Sequence, residues 1–420
     1  MEYKLGNLSN FYDSLHKTPK VYSTSGYPMI RVKDIETGFL NISQTANVSE
    51  LDYLEFTKKY KPTVGDIIIT RVGTYGNVAL VVKDENFCLG QNTVVLNPIR
   101  KTIDNKYLFY ALRGPYVQQQ IESKVTGSTQ KTISLKSLKE IEVKRFDYKK
   151  EMLIGKFLYN IDNKIEINKK IIANLEELSQ TLFKRWFVDF EFPDKDGNPY
   201  KSSGGEINDT NNLPPNWKYQ SAKDIYTINI GKTPPRKLTE LFNTKNGIDW
   251  VSISDMKADG PFINITKENL SESAVKEYRV KLVPKNSVLL SFKLTIGRVK
   301  ITNKELATNE AIAHFVTNKI NSIYTYLYLK NFNFESLGNT SSIANAINSK
   351  IVKEMPILVP TSEILEKFKE IITPIFEKIE LQQKENILLT QLRDTLLPKL
   401  MSGEIEIPDN IEVNIDELSI

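Results

Sequence analysis

The 420-residue sequence predicts an α+β protein: two similar globular domains separated by two long antiparallel coiled-coil helices, with a pseudo-twofold internal repeat. Three features carry the prediction. The second half of the chain repeats the pattern of the first. Each half ends in an apolar row with alternating spacings of three and four residues, the mark of a helix–helix seam. Between the halves, DGNPYKSSGGE (196–206) is rich in residues that stop a helix. The length also exceeds what one hydrophobic core ordinarily supports.

The elements follow in order. A first globular domain is expected over 1–149, where GDIIITRVGTYGNVALV (65–81) reads as strand, Gly-bearing turn, strand. GQNTVVL from Gly90 adds a strand, YLFYAL from Tyr107 an aromatic helix, and GSTQKTISLKSLKEIEV (127–143) closes the domain. A first long helix is expected over 150–190, with Ile154, Leu158, Ile161, Ile165, Ile172, Leu175 and Leu182 along its seam. A flexible linker over 191–215 follows, in which Pro193, Gly197, Pro199, Gly204 and Gly205 forbid helix.

The second globular domain, 216–361, repeats the first: NSVLLSFKLTIGRVKIT (286–302) matches the hairpin, with Gly297 at the place of Gly76. TNEAIAHF from Thr308, YTYLYL from Tyr324 and SSIANAINSKIVKEMPILV (341–359) match the rest, Ile133 pairing with Ile347 and Leu138 with Val352 at an offset of 214. A second long helix over 362–403 carries Phe368, Ile372, Ile375, Ile379, Leu389 and Leu396 at the same offset, with Pro374 expected to kink or restart it and Gly403 at its C-terminal cap. Helix pairing is assigned to Ile161, Ile165, Asn168 and Leu175 of the first and Ile375, Ile379, Gln382 and Leu389 of the second; Asn168 and Gln382 are polar residues that fix register in an apolar row. A competing arrangement packs each helix on its own domain, but a helix of roughly 55 Å would overhang it. An acidic tail, 404–420, has six carboxylates and no basic residue.

The net charge of +5 is unevenly spread. Residues 1–150 carry 22 basic and 15 acidic side chains and residues 216–360 carry 20 and 12, so both domains are basic and the connectors acidic. That distribution implies two surfaces that attract a polyanion. The lone Cys88 excludes an intramolecular disulfide, and with only His16 and His314 beside it no zinc-ligand spacing exists. No apolar stretch is long enough to span a membrane and the N-terminus lacks a signal peptide, so a cytoplasmic protein is expected.

Catalysis of its own is not expected. No phosphate-binding Gly-x-x-x-x-Gly-Lys motif is present, and NPY at Asn198 lacks both a second proline and a Gly-rich turn for a methyl donor. PDKD at Pro193 has no companion E-x-K, and neither histidine has a triad signature. No cofactor and no metal are called for.

LSQTLFKRWFVDFEFP with GNPYKSSGGE in the first connector, GKTPP at the opening of the second domain, and LLTQLRDTLLPKLMSGEI in the second connector are together specific. With the order domain, helix, domain, helix, they make the chain resemble the specificity subunit of Type I restriction-modification systems over its whole length. The resemblance implies a non-catalytic subunit in which each globular target-recognition domain reads one half of a split sequence in double-stranded DNA. It further implies that the helices set the gap and dock two modification (methyltransferase) subunits, and that a restriction and translocase subunit joins for cleavage. An alternative from the residues alone is a coiled-coil scaffold whose basic domains bind RNA or other acidic partners.

Candidate DNA contacts are polar or basic, on loops, and at matching places in the halves. The turns offer Arg71, Thr74 and Asn77, and Lys293, Thr295 and Arg298; the later loops offer Ser128, Gln130 and Lys131, and Asn345, Asn348 and Lys350. GKTPPRK adds Lys232, Thr233, Arg236 and Lys237. Arg reads guanine and Asn or Gln reads adenine by geometry, and a solvated turn is the competing reading for each residue. Gly76 and Gly297 are assigned a structural role in tight turns.

Overall fold

The computed structural model describes residues 1–127, 130–243, 246–317, 319–337 and 347–408, so Ser128, Asn345 and most of the acidic tail lie outside the described residues. The chain forms two compact units, one of Met1–Ile165 with the chain from Leu388 onward, the other of Glu166–Ile387. Each unit thus contains a globular part and one portion of each long helix.

Among its described residues the first unit has the strands β1 (Glu2–Lys4), β2 (Ser9–Asp13), β3 (Tyr27–Ile30), β4 (Gly38–Phe39), β5 (Ala46–Val48), β6 (Ile67–Thr70), β7 (Val78–Leu80), β8 (Cys88–Leu89), β9 (Thr93–Pro98) and β10 (Glu142–Lys144). They form sheets of order β2-β9-β6-β7-β4, β5-β3-β8 and β1-β10. The second unit has β11 (Lys218–Ser221), β12 (Thr227–Ile230), β13 (Ile248–Val251), β14 (Phe262–Ile263), β15 (Glu268–Leu270), β16 (Val288–Ser291), β17 (Val299–Thr302), β18 (Ala307–Thr308), β19 (Ile312–Val316) and β20 (Pro356–Val359). Its sheets, β12-β19-β16-β17-β14, β15-β13-β18 and β11-β20, repeat the first strand for strand. Even the parallel pairs recur, β4 with β7 and β3 with β8 matching β14 with β17 and β13 with β18.

The apolar runs make sense as strands buried on both faces. Successive side chains of a strand point to opposite sides. Ile67, Ile69, Val78, Leu80, Val94 and Leu96 pack with the aromatic helix Asn105–Arg113, while Ile68, Ala79 and Val95 pack on the other side with Ile30, Phe87 and Leu89. The second unit divides Val288 and Leu290 from Leu289 in the same way.

The long helices run Tyr148–Phe187 and Ser362–Ser402. Their apolar rows serve both expected arrangements at once. In the first unit Ile154 and Leu158 join the domain core together with Leu397, Leu400 and Met401; in the second, Ile172 and Phe183 join Phe368, Ile372, Phe376 and Ile379. The helices pair antiparallel within the second unit, where Asn168 Nδ2 donates to Glu385 (2.8 Å) and Asn386 (2.9 Å) and Phe187 meets Phe368. Ile161 and Ile165 are buried, Leu175, Ile375 and Leu389 half-buried, and Ile379 and Gln382 buried.

The two units fasten helix to domain differently. In the first, the buried Asp162 carboxylate accepts from Arg113 (2.5 Å), Tyr110 (2.8 Å) and, on the other long helix, Arg393 (2.6 Å). Burial opposes its charge, and the two guanidiniums outweigh burial and hold its pKa below the usual value. In the second, Gln383 of the long helix donates to Asp259 O (2.8 Å) and accepts from Phe262 N (3.2 Å), clamping the edge strand β14.

Two expectations are corrected. Pro374 does not restart the second helix, which is assigned unbroken through it; the turn is held by Phe376 and Ile372 in the core on either side. The inter-domain connector is not a flexible linker: Tyr200 stacks on Phe192 and Phe192 on Trp217, and Asp194 caps the turn through Asp196 N and Asn198 N. Aromatic stacking supplies the order its Gly/Pro content withholds. At Gly403 the helix closes by bonds from Gly403 N to Leu400 O (3.2 Å) and Glu404 N to Lys399 O (3.0 Å), a two-bond Schellman cap.

Candidate nucleic-acid interface

The hairpin turns 71–77 and 292–298 are built alike. The hydroxyl of Thr70 donates to Thr74 O (2.5 Å) and accepts from Asn77 N (3.0 Å); that of Ser291 donates to Thr295 O (2.5 Å) and accepts from Arg298 N (3.0 Å). Gly76 N and Gly297 N then donate back to Thr70 O and Ser291 O. Both glycines have positive φ, +80° and +87°, and a Cβ would press on Ile121 or Phe334 at 3.2 Å, which accounts for glycine at both places.

Backbone bonds gather the candidate loops into one face at an end of the five-stranded sheet. In the first unit Arg71 N donates to Asn92 O (2.9 Å), Ile133 N to Arg71 O (3.0 Å) and Gly73 N to Lys131 O (3.3 Å). In the second, Phe292 N donates to Ala311 O (3.0 Å) and Lys232 N to Thr308 O (2.9 Å), so the hairpin turn and the start of 231–237 both border residues 308–311.

The candidate side chains divide. Arg71 is turned inward, paired with Asp13 at 2.8 Å and donating to Ile133 O. Asn77 Nδ2 donates to Ile35 O (2.9 Å), and Arg298, at the matching place, donates to Ile253 O (2.8 Å). Asn348 caps the helix Ser349–Glu354 by accepting from Lys350 N and Ile351 N. These four side chains shape loops. Thr74, Gln130, Lys232, Lys237, Lys293 and Lys350 are exposed, and Thr233 is half-buried with its hydroxyl on Glu310. Lys131 is exposed over the Tyr75 ring and bonded to Glu122, which raises its pKa. Arg236 pairs with Glu268 (2.8 Å) while its guanidinium lies 4.5 Å above both Phe242 and Trp250. That stacking leaves a planar cation at the surface of the second face.

A further segment of the first face escaped the sequence reading. Lys17-Thr18-Pro19 follows β2 as Lys232-Thr233-Pro234 follows β12, with Lys exposed and Pro buried in both. It lines an open cleft of about 310 Å³ with Tyr22, Arg31, Lys33 and Asn92. The shared tripeptide was the available signal; differing loop lengths between strand and motif hid it.

His314 is buried in β19, its Nε2 2.6 Å from Thr308 Oγ1, and burial lowers its pKa to about 4. It is a neutral core residue. Among the described residues no group of three or more His, Cys, Asp and Glu side chains could hold a metal, and no helix is long and apolar enough to cross a membrane.

A duplicated α+β scaffold with a cation-bearing loop face in each copy defines a duplicated nucleic-acid-binding protein. The Type I restriction modification DNA specificity domain matches residues 2–177 and again 214–391, and the chain belongs to that family. It is 26% identical to the MjaIX type I restriction enzyme specificity subunit of Methanocaldococcus jannaschii, over 93% of this chain and 89% of that one. It is 25% identical to the HindI specificity subunit of Haemophilus influenzae, over 96% and 99%. In fold it is similar to the crystal structure of a Type I system S subunit from M. genitalium, with a TM-score of 0.57 and 18% identity over 95% of each chain.

Proposed function

We propose that this chain is the DNA sequence-specificity subunit of a Type I restriction-modification complex, in which each unit reads one half of a bipartite target in double-stranded DNA. The observation that carries the reading is the duplication: one strand order, one turn chemistry and one loop face, made twice with different exposed side chains. A polypeptide that repeats its scaffold and varies its loops addresses two different short sequences. Lysines 17, 131, 232, 237, 293 and 350 supply phosphate affinity, and Thr74, Gln130, Thr233 and Arg236 are the candidates at base edges. Arg71, Asn77, Arg298 and Asn348 hold the loops that present them.

The globular domains are taken as 1–149 and 216–361, with the two long helices setting the interval between half-sites and docking two methyltransferase subunits; a restriction and translocase subunit completes the complex. In this role the chain performs no chemistry itself and acts in the cytoplasm, where its DNA is. The family match gives no support to the scaffold reading with RNA or acidic proteins.

The test is selection from randomised duplexes by the chain assembled with its methyltransferase subunit, at two salt concentrations. The expected result is enrichment of two short sequences at a constant gap, with binding to random duplex that weakens steeply with salt. Enrichment of one uninterrupted sequence, or of none, contradicts the reading.

A further inference from the structure

Leu294 stands at the tip of the turn between β16 and β17 with a left-handed φ of +64° and 91% of its surface exposed, more than any other large apolar side chain among the described residues. Both properties are unfavourable for leucine. A side chain with a Cβ is strained at that φ, and an isobutyl group in water gains nothing from burial.

Other positive-φ residues have local reasons. Six of the nine that are not glycine are Asn, whose short polar side chain tolerates the conformation. Phe190 packs its ring 5.6 Å from Trp217, and Arg279 closes the helix Glu272–Glu277 through Arg279 N to Lys276 O and Val280 N to Val275 O. Among the described residues Leu294 has neither a packing partner nor a capping role. The matching residue of the first unit is Gly73, φ +72°, which holds the same turn without strain. The fold therefore does not require leucine here.

The tip is held firmly. Ser291 Oγ to Thr295 O, Gly297 N to Ser291 O and Thr295 N to Lys293 O fix the turn beneath it, and exposed Lys293 and Ile296 flank it. A strained, exposed residue on a fixed loop points to a ligand that repays the strain. Resting on the DNA-reading function above, we propose that Leu294 is a specificity-determining contact of the second unit, packing against the 5-methyl group of a thymine in the major groove while Lys293 meets the adjoining phosphate. Thymine is the base that offers an apolar group there. The first unit, with Gly73 at this place, makes no such contact.

Leu294→Gly tests this without threatening the fold, since glycine relieves the strain. In the assembled complex, selection by wild type and by Leu294→Gly is expected to differ at one position of one half-site, where thymine preference disappears, with gap, opposite half-site and thermal stability retained. Deoxyuridine in place of that thymine is expected to weaken wild-type binding roughly fourfold, the weight of one buried methyl, and to leave Leu294→Gly unaffected. Identical selection and affinity for the two proteins overturns the assignment. So does weakened association of Leu294→Gly with the methyltransferase subunit at unchanged DNA selection, which makes the tip a protein contact. If wild type enriches no sequence at all, the DNA-reading function falls and the assignment falls with it.

Discussion

The two units share strand order, parallel pairs and turn hydrogen bonds, yet differ in the residues that do equivalent jobs. Where the first docks its long helices through the ion cluster Asp162–Arg113–Arg393, the second uses the Gln383 amide against the β14 backbone. Where the first turn sends Asn77 to Ile35 O, the second sends Arg298 to Ile253 O. The lesson is that the backbone plan is what the repeat preserves, and any side chain that satisfies the same donor or acceptor can stand in a given place. Exposed loop positions are freed to diverge further, as Gly73 and Leu294 have.

The largest contrast is at the helix dock. Asp162→Ala leaves the buried Arg113 guanidinium without its carboxylate, while Arg393 keeps Asp394, and is expected to cost the first unit about 3–5 kcal/mol, whereas Gln383→Ala costs the second about 1–3 kcal/mol. Hydrogen exchange resolved by segment checks this: Asp162→Ala should lower protection in 105–165 and 388–402. Unchanged protection there would show that packing alone fastens the first unit.

Next is a difference in pH response. The position matching His314 in the first unit is Val95, by strand register. His314 has its folded pKa lowered to about 4 by burial, from an ordinary 6.5. Between those values the unfolded chain binds a proton that the folded chain refuses, so stability is complete above about pH 6.5 and is lost as pH falls toward 4. Denaturation at several pH values should show that loss in the second unit, of order 2–3 kcal/mol, and His314→Val should flatten it.

Gly76→Val and Gly297→Val force a β-branched residue to positive φ, and each is expected to cost about 1–3 kcal/mol locally. Selection should show the opposite half-site intact. A change in the identity of the preferred bases, as against a loss of preference, would argue that the glycines do more than shape the turn.

The smallest effects on stability separate exposed lysines. Lys131→Ala and Lys237→Ala should each change stability by under about 0.5 kcal/mol while lowering the salt slope of DNA binding by about one. Lys131 must first leave Glu122, so its affinity loss should be the smaller.

Much of the fold was legible because it rests on periodicity. Alternation marked the hairpins, spacings of three and four marked the long helices, and an offset of 214 tied the second helix to the first. The site was legible only as loops. Whether Arg71 faces DNA or Asp13, or Asn77 a base or the carbonyl of Ile35, depends on partners far away in sequence and near in space. No local pattern reports that. The Lys-Thr-Pro repeat was readable in principle, but its flanks differ between halves. Pro374 does not restart the helix because one with both neighbouring turns buried in a core tolerates a missing N–H that an isolated helix does not.

The central claim is that each repeat reads its own half-site. Its most direct test is duplex selection by a chain in which the second unit's base-edge candidates Thr233 and Arg236 are both alanine, beside wild type. The account predicts that sequence preference fades in one half-site only, at unchanged gap and with the other half as sharp as before. Fading of both halves together would contradict it.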